Sequence, residues 1–153
     1  MIRRLDPGTD ASSCDAIVAS LPGWFGIEEG IREAADAART HEGFVATDEQ
    51  GEVVGFITTV PRYPTTAEVS WMAVHRDHRR SGHGRALMDA VARELAGRGV
   101  QLLLVKTLSD REDPGPEYAE TRAFYLASGF IPVMELDIWG PDNPCQALAL
   151  VLA

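Results

Sequence analysis

Between His75 and Leu87 the chain reads "HRDHRRSGHGRAL", which sets Arg79, Arg80 and Arg85 around Gly82 and Gly84 just ahead of an apolar, helix-period pattern. The start of a helix leaves backbone N–H groups unpaired, and its dipole end is partly positive. Glycine adopts dihedrals that other residues avoid and lets a ligand approach the main chain. Arginines add charge-assisted donors. The chemistry implied is capture of an anion, a phosphate or a pyrophosphate. Two familiar phosphate motifs do not fit. No Gly-Lys-Ser/Thr is present, and Leu87 stands where a dinucleotide fingerprint needs glycine or alanine. On the local pattern alone, a helix cap with solvated arginines explains the stretch as well as an anion site does.

Other reactive side chains carry less. His75, His78 and His83 are close in sequence but not at metal-ligand spacing; as donors to a phosphate they are reasonable. Lys106 lies inside the apolar "LLLVKTL", where a charge wants a partner. Trp24 and Phe25 in "PGWFG" are read first as core aromatics and second as pocket lining. Cys14 and Cys145 are far apart, so neither a disulfide nor a metal site is expected, and a cytoplasmic setting is the default. "WGPDNPC" is distinctive but suggests no chemistry.

The elements that must position these residues follow from periodicity. "MIRRL" reads as a strand. Thr9 or Asp10 can cap a helix over 11–21, and a second helix covers 27–40 with acids early and Arg39 late. "GFVAT" and "EVVGFITTV" form a hairpin about "DEQG", interrupted afterwards by Pro61 and Pro64. "AEVSWMAVH" is a strand. From His83, Leu87, Ala90, Val91 and Leu95 share one helical face. "VQLLLVKTL" reads as a strand buried on both faces. "YAETRAFYLAS" is a short helix stopped by Gly129, and "FIPVMEL" and "CQALALVL" are the last strands. The expected fold class is α/β: one mixed sheet of six to seven strands with helices on both faces, in the order β-α-α-β-β-β-α-β-α-β-β. The 153 residues contain no long linker or repeat, so one domain over 1–153 is expected. A net charge of −9 argues against nucleic-acid binding, and no apolar run is long enough for a membrane helix.

Arg79-Arg80-Ser81-Gly82-His83-Gly84 resembles the Arg/Gln-x-x-Gly-x-Gly/Ala signature of the GNAT superfamily of N-acetyltransferases. Met72-Ala73-Val74 is similar to that family's preceding strand, and "FYLASGF" (124–130) to its Tyr-x-x-x-Gly-Phe element. The order of elements also agrees along nearly the whole chain. The resemblance implies acetyl-CoA as acyl donor. The backbone from Arg79 through Gly82 and Gly84 to Arg85 would hold the pyrophosphate. Met72, Ala73 and Val74 would pair with the pantetheine arm, and the Met72 N–H would polarise the thioester carbonyl. Tyr125 would be the acid beside the sulfur. "AEVSWMAV" resembles the Ala-Glu-Ile-x-Phe-x-Ala-Ile strand of the histone-acetyltransferase branch, which makes Glu68 the candidate base.

Strand periodicity puts Glu68, Ser70 and Met72 on one face, where a carboxylate in an apolar slot would have a raised pKa. Its bland alternative is an exposed charge at a strand start. Glu28 and Glu29 are the runners-up, though a helix N-terminus favours acids for its own reasons. Two positions depart from the family pattern: Tyr118 stands for an asparagine and Thr121 for an alanine. The implied activity is direct transfer of acetyl to a small-molecule amine, with a homodimer a common expectation for such a fold. Competing readings are a protein lysine or N-terminal amine as acceptor, and a non-catalytic CoA-binding sensor.

Overall fold

The computed structural model describes residues 1–25, 27–111 and 114–152. A seven-stranded sheet runs in the order β1-β2-β3-β4-β5-β7-β6. Its strands are β1 (Ile2–Arg4), β2 (Glu42–Thr47), β3 (Val53–Tyr63), β4 (Thr66–Val74), β5 (Leu102–Leu108), β6 (Ile131–Leu136) and β7 (Cys145–Val151). The helices are α1 (Pro7–Ala19), α2 (Glu28–Thr40), α3 (His83–Gly97) and α4 (Pro116–Ala127). The expected order of elements is the observed one. Only β4 and β5 are parallel, joined by the crossover through α3; every other neighbouring pair is antiparallel.

Alternation along the strands divides the core into two layers. Ile57, Leu103, Val105 and Leu148 pack with Leu87, Met88, Val91 and Leu95 of α3 and with Tyr125 of α4. Val45, Phe56 and Ala73 point the other way, against Cys14, Ile17 and Val18 of α1 and Ala34 and Ala38 of α2. Each large side chain fully buried in this way contributes roughly 1.5–3 kcal/mol.

Three local expectations are corrected. The first helix starts at Pro7, because Asp6 caps it by accepting from the Gly8 N–H and Pro7 takes the first turn, where no N–H is needed. Asp10, free of capping, is buried and bound by Arg3 through two nitrogens at 2.8 and 2.9 Å and by the Asp6 N–H at 2.8 Å. Pro61 lies within β3 rather than ending it. The partner strand β2 stops opposite Thr59, so beyond that point β3 is an edge, and a missing N–H costs nothing there. The third correction is that β5 is not buried on both faces. Leu103, Val105 and Thr107 are buried, while Leu104, Lys106 and Leu108 are half-buried. No helix was needed over that face, and the opening it leaves is where the candidate site lies.

Candidate active site

The parallel ladder of β4 and β5 is short. Thr66, Ala67 and Glu68 pair with Leu102, Leu103 and Leu104, and there the register ends. Both strands continue. β4 runs to Val74 against β3, and β5 runs to Leu108 against β7. A wedge therefore opens between Val69–Val74 on one side and Val105–Leu108 on the other. Met72, Ala73 and Val74 lie beyond the end of that ladder, and their backbone has no β5 partner.

A bulge gives the wedge its chemistry. Thr58 pairs with Trp71 but Thr59 with Val69, so Ser70 is the extra residue. Side-chain alternation flips across it. Val69, Met72 and Val74 all belong to the α3/α4 layer, while Trp71 and Ala73 belong to the α1/α2 layer. Glu68, adjacent to Val69, faces away from α3. The expected common face of Glu68, Ser70 and Met72 is thus overturned. The period-2 rule fails at a single inserted residue.

At the mouth of the wedge, α3 begins at Gly82, which has φ +87°. Among the described residues no side chain caps this helix start, which leaves its first N–H groups without a side-chain partner. The two glycines serve different ends. Space around Gly82 is open, and only its left-handed backbone demands glycine. Gly84 permits close packing: a Cβ there would sit 3.2 Å from Met72 Cε and 3.4 Å from Phe124 Cε1. Arg80 also takes a left-handed φ, +62°. These two residues turn the chain ahead of α3, and Ser81 Oγ donates to the His78 carbonyl within the turn. His83 lies at the helix start with its pKa below the ordinary histidine value, chiefly because of burial. His78 sits between His75 and His83, with ring centroids 6.0 and 6.3 Å away. Among the described residues no cluster can hold a metal ion.

The arginines of the signature divide. Arg85 pairs loosely with Asp89, and Arg80 is largely exposed. Arg79 turns away from the amide turn. Its guanidinium lies 4.2 Å over the Trp24 ring and donates to Glu120 at 3.1 Å. Trp24 Nε1 donates to the Glu117 carbonyl and to Thr121 Oγ1 at 3.1 and 3.0 Å, and the Tyr118 hydroxyl donates to the Trp24 carbonyl at 2.9 Å. The two positions that depart from the family pattern, Tyr118 and Thr121, therefore have one partner in common. Together they tie the segment between α1 and α2 onto α4. Phe25 follows, with its ring 5.6 Å from Trp71.

Tyr125 is 7% exposed and is held by Phe124 and Phe130 at ring distances of 5.6 and 5.4 Å. Burial pushes its phenol up to about 12. Among the described residues every fully buried side-chain nitrogen or oxygen has a partner, while the Tyr125 hydroxyl makes no hydrogen bond. Its oxygen is accordingly the point where this residue meets open space.

Glu68 is buried at 6% exposure, but not in an apolar slot. Its Oε1 accepts from Arg62 Nε at 3.0 Å and from Lys106 Nζ at 3.3 Å, and Lys106 lies 3.3 Å from Oε2. Lys106 thus finds the partner that its apolar strand demanded, and it reaches back across the opening to do so. Beside this triad, Ser70 Oγ joins Thr58 Oγ1 at 2.7 Å and His41 Nδ1 at 2.9 Å. Burial, and then the charge of Arg62, lower the pKa of His41. The role of Arg62 had no sequence signal, since an arginine beside Pro61 at a strand end reads as solvated. Glu28 and Glu29 are exposed on the first turn of α2 and join no part of this network.

Comparison with known proteins agrees with this fold. An acetyltransferase (GNAT) domain model matches residues 39–132, which is more than half of the chain. The chain belongs to the GNAT family of acetyltransferases. No curated protein matches the chain. Among solved structures, a GNAT-family protein from Desulfovibrio desulfuricans superposes with a TM-score of 0.85 at 24% identity, covering 100% of this chain and 99% of that one. The ribosomal-protein-S18-alanine N-acetyltransferase of Escherichia coli gives 0.78 at 23%, covering 100% and 94%. An aminoglycoside 6'-N-acetyltransferase complexed with coenzyme A gives 0.75 at 21%, covering 100% and 97%. At these identities the likeness is one of fold. Among the described residues no helix is long and apolar enough to cross a membrane.

Proposed function

We propose that this acetyltransferase takes acetyl-CoA as donor and the amine of a small molecule as acceptor. The observation that carries the reading is the open wedge beside an uncapped, glycine-led helix start. The fit is chemical. A diphosphate needs convergent N–H donors and open space, and the turn from Arg79 to Arg85 offers both. A pantetheine arm needs a strand edge to pair with, and Met72, Ala73 and Val74 provide one. When bound, acetyl-CoA supplies an activated acetyl thioester.

The chain's own residues then take the following parts. The Met72 N–H polarises the thioester carbonyl. Tyr125, a phenol and so protonated at neutral pH, donates to the departing sulfur. Glu68 takes the proton of the incoming amine. Its ion pairs with Arg62 and Lys106 hold the carboxylate in place at the base of the wedge.

Release of thiol from acetyl-CoA across a panel of amines, with Tyr125→Phe alongside, tests the proposal. The expected outcome is turnover on at least one amine, a loss of about tenfold to hundredfold in kcat for Tyr125→Phe, and unchanged CoA affinity. Equal rates would remove Tyr125 from the chemistry. Binding of CoA without turnover on any amine, protein lysines and N-termini included, would make the protein a sensor.

A further inference from the structure

We infer that the acceptor is a free α-amino acid, read by Arg62, Glu68 and Lys106 at the base of the wedge; the inference rests on the function proposed above. The chain as a whole is acidic, with 23 Asp and Glu against 14 Lys and Arg. Here the balance is reversed: two cations flank one carboxylate, with separations of 3.0 and 3.3 Å. A cluster of this kind is a poor source of stability, because its desolvation offsets its attraction, and apolar side chains would serve β4 and β5 as well. Its position fits recognition instead. Glu68 closes the parallel ladder, Lys106 lies one alternation past the last pair, and the face they share is the one α3 does not cover.

The donors are also incompletely used. Glu68 is almost wholly buried, whereas the Arg62 and Lys106 side chains are 50% and 28% exposed. Arg62 engages Glu68 through Nε alone, and among the described residues its two Nη groups make no hydrogen bond. They form a free fork of the shape a carboxylate binds at two points. An α-amino acid carries its ammonium and its carboxylate one carbon apart. An amine approaching the exposed edge of this cluster would bring its carboxylate toward the Arg62 fork, with Glu68 behind it to draw off the proton. His41, Ser70 and Thr58 line the same region with polar atoms.

The chemistry balances. The nitrogen–acyl bond forms and the carbon–sulfur bond breaks. Of the two protons the α-ammonium loses, one goes to solvent by way of Glu68, and the sulfur gains one through Tyr125.

The test compares common amino acids with their C-terminal amides, which keep the amine and lose the carboxylate. Thiol release is measured at saturating acetyl-CoA, and binding of each compound to the CoA-saturated protein is measured by calorimetry. The expected result is at least tenfold higher kcat/KM for the acid of the best pair, with the ratio falling to about threefold or less in Arg62→Gln. That residue is half-exposed, so its replacement leaves the core intact. Lys106→Met should lower the same ratio. Amides used as well as acids, or a ratio unmoved by Arg62→Gln, would overturn the inference. Should no amine be acetylated while acids but not amides bind the CoA complex, transfer fails and the amino-acid site stands. Should neither bind nor react, the site falls as well.

Discussion

Two buried acids, Asp10 and Glu68, show how little a residue type says about its task. Both are nearly inaccessible and both face an arginine. Asp10 is held by Arg3 from both sides and by a backbone N–H, and the Arg3 hydrogen bonds keep its carboxyl below the usual range. It joins β1 to α1 and has no open side. A depressed folded-state pKa contributes stability that is present above the unfolded value near 4 and is lost as pH falls through the folded one. Asp10→Asn should therefore cost about 2–3 kcal/mol at neutral pH. Measured by denaturant melts, the gap to the parent protein should narrow steadily below about pH 4. A gap independent of pH would mean that Asp10 acts by packing alone. Glu68 shares its pair of cations with the end of the β4–β5 ladder, and the role proposed for it rests on that opening rather than on the carboxylate itself. In the sequence the two acids look alike. Only Lys106, an anomalous charge in an apolar strand, hinted that β5 faces a counter-charge.

At the scale of elements, periodicity carried most of the fold, because every strand and helix buries one face and repeats accordingly. The failures have specific physical causes. One inserted residue at Ser70 reversed the facing of β4, and nothing in "AEVSWMAV" announces an insertion. Asp6 outcompeted Thr9 and Asp10 as cap because Pro7 had to lie in the first turn. The β5 strand looked doubly buried because its apolar run does not reveal that a neighbouring strand diverges. Likewise Tyr118 and Thr121 were legible as departures from a pattern, but their common partner, 97 residues from Thr121 in sequence, was not. That partner supports a prediction of its own. Trp24→Ala removes the Arg79 stack and two hydrogen bonds at the α1–α2 segment, and should cost about 2 kcal/mol in thermal or chemical melts. Trp24→Phe keeps the stack and should lose about half as much. If neither substitution changes stability, the segment is not tied to α4 through this ring.

Over the whole molecule, the wedge proposed as the working part lies at the parallel β4–β5 junction, the one such junction among the described residues. Six strand junctions hold the sheet together. Five are antiparallel, and the sixth stops after three residue pairs. Helices α1 and α2 cover one face of β2–β4 while α3 and α4 pack on the other, flanking the wedge where the β4–β5 ladder ends. Cys14 and Cys145 are buried, and burial raises both thiols, to about 12 for Cys14. The central claim is that the amide turn led by Gly82 grips the diphosphate of CoA at the mouth of this wedge. Calorimetric titration of CoA into the parent protein and into Gly82→Val tests it most directly, with folding of both checked by thermal melts. A side chain at φ +87° strains the turn by roughly 1–2 kcal/mol, while nothing stands within 4 Å to disturb the core. The account predicts a 1:1 association with the parent and a loss of affinity of tenfold or more in the variant, in a protein that still melts cooperatively. Association of equal strength in both proteins, or none with the parent at millimolar CoA, would contradict it.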